Sequence, residues 1–167
     1  MRFPGRRPRE IPTSGPAAFA QLRTLWLSTD PSQLGLRPTS VLPHVWGAAL
    51  ELRVGEAVVF LAAVAEGSVS MYFSTGGGII GGGQHAAVRA AGQRFLETLE
   101  SSLSQFGSRE SFAPVGPERA SFIVQTYQGK LGAEVPEAAL RAGTHPLSGC
   151  YGAAQDVITQ LRLASPK

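Results

Sequence analysis

The nine residues from Ala57 to Ala65 are apolar without a break, and a run of that length restricts the folds open to this chain. It falls far short of the ~18 residues a membrane-spanning helix needs. As a strand, it is apolar on both faces, which places it centrally in a sheet covered on both sides. The flanking segments alternate instead. Before it, Trp46, Ala48, Leu50, Leu52 and Val54 point one way, and Val45, Gly47, Ala49, Glu51 and Arg53 point the other. One face of that segment carries charge, so it reads as a half-buried strand. After it, Val69, Met71 and Phe73 alternate with Ser68, Ser70, Tyr72 and Ser74. The joining pairs Gly55-Glu56 and Glu66-Gly67 suit tight turns, so the three strands form an antiparallel meander.

Helical periodicity takes over on either side. Phe19, Leu22 and Trp26, with Ala18 and Leu25 beside them, make one amphipathic stripe after Ser14 and Pro16, a cap and an opening residue. The proline-rich stretch from Ser28 to Pro43 is an irregular connection. Val88, Gly92, Phe95, Leu99, Leu103 and Phe106 recur at spacings of three and four, which predicts a helix of about six turns ended by Gly107. A further strand over Ser121–Tyr127 turns at Gln128-Gly129 into a short edge strand over Lys130–Glu134. Glu137–Arg141 forms a short helix, and Leu147, Tyr151, Ala154, Ile158 and Leu161 mark a final helix from about Leu147 to Leu163.

The expected fold is α+β: a mostly antiparallel sheet of about five strands, a three-strand meander plus a hairpin, with helices packed on it. The order of elements resembles that of profilin-type and roadblock-type domains, small α+β modules used in dimers and scaffolds. That resemblance lies in element order and assigns no residues.

Charge separates the chain into two parts. Residues 1–15 hold Arg2, Arg6, Arg7 and Arg9 against Glu10, and from residue 16 onward 11 basic residues balance 11 acidic ones. We therefore expect a disordered basic tail over 1–15 and a single domain over 16–167. The body has no basic excess for a phosphate backbone, so nucleic acid is expected only through the arginine tail. The start of the chain lacks the apolar segment of a secretory signal, which makes cytoplasmic the default location. One cysteine, Cys150, excludes an internal disulfide, and His44, His85 and His145 are too widely spaced for a metal motif. No metal, cofactor or membrane span is expected.

Chemistry, if present, points to the segment between the meander and the long helix: Ser74, Thr75, Gly76, Gly77, Gly78, Ile79, Ile80, Gly81, Gly82, Gly83 and, past Gln84, His85. Backbone amides and the helix dipole there favour an anion such as a phosphate or carboxylate. Gly76, Gly78 and Gly81 satisfy the dinucleotide spacing, yet the strands before it form a meander and no acid closes the next strand. No lysine stands in the loop, so a phosphate-binding P-loop is excluded. Two β-branched residues between glycine triplets ask for burial, in the core or against a partner, and six glycines need something to order them.

Individual candidates read first as structural. A neutral His85 beside Ser74 or Thr75 is a candidate base, but no carboxylate nearby orients it. Cys150 near a helix start is a candidate nucleophile, yet it sits beside a buried stripe where cysteine serves as a small apolar filler. Glu97 and Glu100, sharing a helix face with Arg94, read as a solvated ion-pairing group. The leading expectation is a non-enzymatic interaction or regulatory module that self-associates or binds a protein partner through the Gly76–Gly83 loop. The alternative is a ligand-binding domain or enzyme holding an anionic group at that loop and helix start.

Overall fold

Gly55 and Gly67 reverse the chain at φ values of 62° and 106°, which are costly for any side chain bearing a Cβ, and so set up the meander that the patterning anticipates. The computed structural model describes residues 15–165. The arginine-rich segment and the Ser14 cap lie outside the described residues. In chain order the elements are α1 (Pro16–Ser28), β1 (Val45–Val54), β2 (Ala57–Val64), β3 (Val69–Phe73), β4 (Gly78–Ile79), α2 (Ala86–Glu100), β5 (Gly107–Ser108), β6 (Arg119–Thr126), β7 (Gly129–Pro136), α3 (Glu137–Arg141) and α4 (Ser148–Ala164). Short 3₁₀ turns occupy Pro31–Leu34, Gly82–Gln84 and Leu103–Gln105.

The strands form one seven-stranded sheet in the order β4-β3-β2-β1-β6-β7-β5, antiparallel at every pairing. The fold is α+β, as the sequence indicates. The two strands beyond the expected five are only two residues long. Each is a glycine followed by one residue, too short to show side-chain alternation. β5 pairs Gly107 and Ser108 with Gly132 and Leu131, so β7 is not the sheet edge along that stretch.

Two hydrophobic clusters sandwich the sheet. The larger lies under α2 and α4 and takes Leu50, Leu61, Met71, Phe122 and Val124 from the strands, with Phe95, Leu99, Ala154, Val157 and Leu161 from the helices. The smaller lies under α1, where Phe19, Trp26 and Leu27 cover Ala49, Phe60, Ala62 and Ile123. Trp26 meets Phe60 edge to face with centroids 5.5 Å apart, a geometry the aromatic quadrupole favours. β2 is thus covered on both faces, the position its unbroken apolar run demands.

β1 departs from its expected half-burial. Its first eight residues are all buried, Glu51 included. Its second face is closed by α1 and by the connection before β6, which pattern alone does not reveal. Glu51 is accommodated because Arg23 of α1 pairs with it and the Val115 N–H donates to its other oxygen at 3.1 Å. The pairing with β6 also shifts register between Val45 and Gly47. Val45 therefore joins the helix-side core instead of sharing the face of Ala49 and Glu51. Leu25 leaves the α1 stripe and stands 54% exposed.

The long helix is shorter than its periodicity suggests. α2 stops at Glu100, and Leu103 and Phe106 reach the core from the 3₁₀ turn that follows. Gly107 then begins β5. Glu100 is not part of a solvated group with Arg94. Its carboxylate accepts the backbone N–H groups of His44 and Val45 at 3.1 and 2.7 Å, and its other oxygen lies 2.6 Å from His44 Nδ1. Glu97 accepts from the Gln93 amide at 3.1 Å. No helix among the described residues is long and apolar enough to cross a membrane.

Candidate functional site

The loop from Ser74 to His85 is held in place along most of its length, and its glycines divide by the reason each is needed. Gly76, Gly77 and Gly81 adopt φ values of 110°, 79° and 76°, where an L side chain is strained. Gly78, Gly82 and Gly83 sit where a side chain has no room. A Cβ on Gly82 would lie 2.4 Å from Leu161, and one on Gly83 would lie 2.1 Å from the Gly67 carbonyl oxygen. The second triplet therefore lets the chain press onto the β3 turn and onto α4 before α2 begins.

Around these glycines the side chains separate. Ser74 belongs to the sheet: its Oγ accepts the Val58 N–H at 2.7 Å. Thr75 is exposed at the turn. Ile79 pairs with Met71 and packs against the helix-side core. Ile80 turns the opposite way and stands 73% exposed. The adjacent β-branched residues thus have different fates, one in the core and one facing outward. His85 is the N-cap residue of α2; it is exposed and makes no side-chain capping hydrogen bond. No hydrogen bond joins His85 to Ser74 or Thr75 among the described residues, so the structure does not assemble that base and hydroxyl.

Two grooves flank Ile80. One, of about 200 Å³, is lined by Ala18, Phe19 and Leu22 of α1 with Tyr72, Phe73 and the Gly77-Gly78 backbone. The other, of about 450 Å³, runs along Ser68, Ser70 and Tyr72 to Gln84 and Arg89. Tyr72 and Ile80 border both. The Arg89 guanidinium donates to the Gly83 carbonyl at 3.0 Å, spending its reach on the loop itself. Glu66 stands on the same rim, accepting the Ser68 N–H at 3.0 Å. The helix start offers unpaired amides, but the nearest cation is engaged and a carboxylate is close.

Sequence reasoning missed Tyr72, Phe19 and Leu22 as neighbours of the loop. Tyr72 lies among serines on the polar side of its strand, and its pairing opposite Gly78 is a tertiary outcome. The signal present in the sequence was a lone aromatic in an otherwise small polar face.

Cys150 lies away from this surface. It is buried against α2, with its thiol 3.8 Å from the Thr98 carbonyl. Burial pushes the thiol above its ordinary range, the reverse of what an activated nucleophile requires. Among the described residues, no group of three or more His, Cys, Asp or Glu side chains is placed to hold a metal. No family model, curated protein or solved structure matches this chain. The likeness in element order to profilin-type and roadblock-type domains therefore lends no residue a role.

Proposed function

We propose that this chain is a small non-enzymatic interaction module of the cytoplasm that self-associates through the surface around Ile80. The observation carrying this reading is the outward position of Ile80, 73% exposed on a loop that packing and turns hold along most of its length. An exposed isoleucine alone is ordinary. Here it stands beside a groove floored by Phe19, Leu22 and Tyr72. A knob next to a hole on one surface is self-complementary: a two-fold axis through the patch seats each Ile80 in the groove of the other copy. Sedimentation velocity tests this. The wild-type chain should form a dimer that Ile80→Asp dissociates into a folded monomer, with the circular dichroism spectrum unchanged and the melting temperature no longer dependent on protein concentration. A wild-type chain that sediments as a monomer at every concentration would overturn the reading.

The second reading is an anion at the Gly83–His85 helix start. It is favoured by the wider groove, where Ser68, Ser70, Gln84 and Arg89 surround the loop backbone. Glu66 opposes it. Thermal shifts with phosphate and carboxylate metabolites, lost in Arg89→Gln, would support it.

A further inference from the structure

On the opposite side of the sheet, a cavity of about 410 Å³ opens between the ends of β1–β3 and the helices α3 and α4. Its floor is Leu52, Val59 and Met71, all buried, with Phe73 and Ile158 as walls. Val54, on its border, is 63% exposed. Volume and lining fall in the range of small-molecule sites, which are mostly apolar with a few convergent polar groups.

The polar rim gives the site its chemistry. Glu137, Arg141, Gln155 and Arg162 supply it. Glu137 is already committed, accepting Arg141 Nη2 at 2.7 Å and the Tyr151 hydroxyl at 2.8 Å. Arg141 and Glu137 cancel in charge. Arg162 has no carboxylate partner among the described residues, and the Gln155 amide makes no hydrogen bond there. With Ile158 they form one stripe of α4, spaced three and four residues apart and facing the cavity. An apolar chamber is thus rimmed by an amide and by the Arg162 guanidinium, both able to donate, the guanidinium carrying the one uncompensated positive charge.

We propose that this cavity binds a small amphiphilic carboxylate, with its aliphatic chain against Leu52, Val59 and Met71 and its carboxylate on Arg162 and Gln155. Guanidinium geometry matches a carboxylate's two oxygens. The cavity's volume of about 410 Å³ suits short and medium aliphatic acids. This cavity touches the groove beside Ile80 only through Phe73, and the assignment does not depend on the self-association reading.

Calorimetric titration of the full chain with octanoate, octanol and octylammonium tests the assignment. Octanoate should bind, and octanol and octylammonium should bind more weakly by about tenfold or more, since each lacks the anionic acceptor. Arg162→Gln, at an exposed position, should weaken octanoate by a similar factor and leave octanol unchanged. Ile158→Ser should weaken both octanoate and octanol, and Ile80→Asp neither. Octanol binding as tightly as octanoate, octanoate affinity unmoved by Arg162→Gln, or no binding of octanoate would each overturn the proposal.

Discussion

Arg23 of α1 donates from Nε to the carboxylate of Glu51, a residue wholly buried in the middle of β1. The pair binds three distant segments together. Arg23 Nη2 also donates to the Phe112 carbonyl at 3.0 Å, and Glu51 takes the Val115 N–H. α1 is thus fastened to the sheet through a charge that water cannot reach.

Removing one partner leaves the other charge buried and uncompensated, at a cost of about 3–5 kcal/mol. Arg23→Met and Glu51→Leu should each lower the urea midpoint strongly, with loss of the α1 packing around Trp26. The double variant should recover much of the difference, because apolar pairs of similar volume replace buried ion pairs well. A double-mutant cycle by urea denaturation checks this, and additive single effects would contradict it.

The loop glycines should differ in sensitivity. Gly77→Ala meets no atom within 4 Å and is strained only by its φ of 79°, so it should cost about 1 kcal/mol. Gly83→Ala drives a methyl group into the Gly67 carbonyl and should reach the upper end of the about 1–3 kcal/mol seen for overpacking, or exceed it. Thermal unfolding of both variants decides the order, and equal melting temperatures would refute the division of roles.

Cys150 should resist thiol reagents in the native state and react fully in denaturant. Its raised value also makes stability depend on pH. Below the ordinary thiol value both states are protonated and the contribution is complete; above about pH 8.5 the unfolded chain ionises first. The contribution is then lost as pH rises towards the folded value. Denaturation across alkaline pH should show a steeper decline for the wild type than for Cys150→Ala; parallel curves would contradict it.

Glu100→Ala should free the His44 and Val45 amides that its carboxylate now accepts. The expected loss is about 1–3 kcal/mol, with hydrogen exchange accelerated at those two amides before the rest of β1. Uniform acceleration along the strand would instead mean that β1 opens as a unit.

The five longer strands and the last two helices were legible because their signals are local. Period-two alternation in Val69–Phe73, the apolar run of β2 and the glycines at 55 and 67 act through nearest neighbours. α3 begins and ends where read, and α4 is displaced by a single residue. The end of α2 was not legible, because Leu103 and Phe106 bury the same face from a tighter turn and keep the helical spacing. In the candidate site, the order of the loop could be inferred from its glycine content. Which side chain faced outward could not, since Ile79 and Ile80 are chemically the same.

The sequence by itself determined the α+β class, the meander and the central place of Ala57–Val64, because side-chain period and turn residues dictate these over a few positions. Only the tertiary structure decided that Glu51 is buried, that Ile80 is left outside, and that Arg162 borders an apolar chamber. Each of those outcomes depends on which distant element covers a given face. Coverage is a property of long-range packing: Arg23 meets Glu51 from 28 residues away, and no local pattern encodes that meeting.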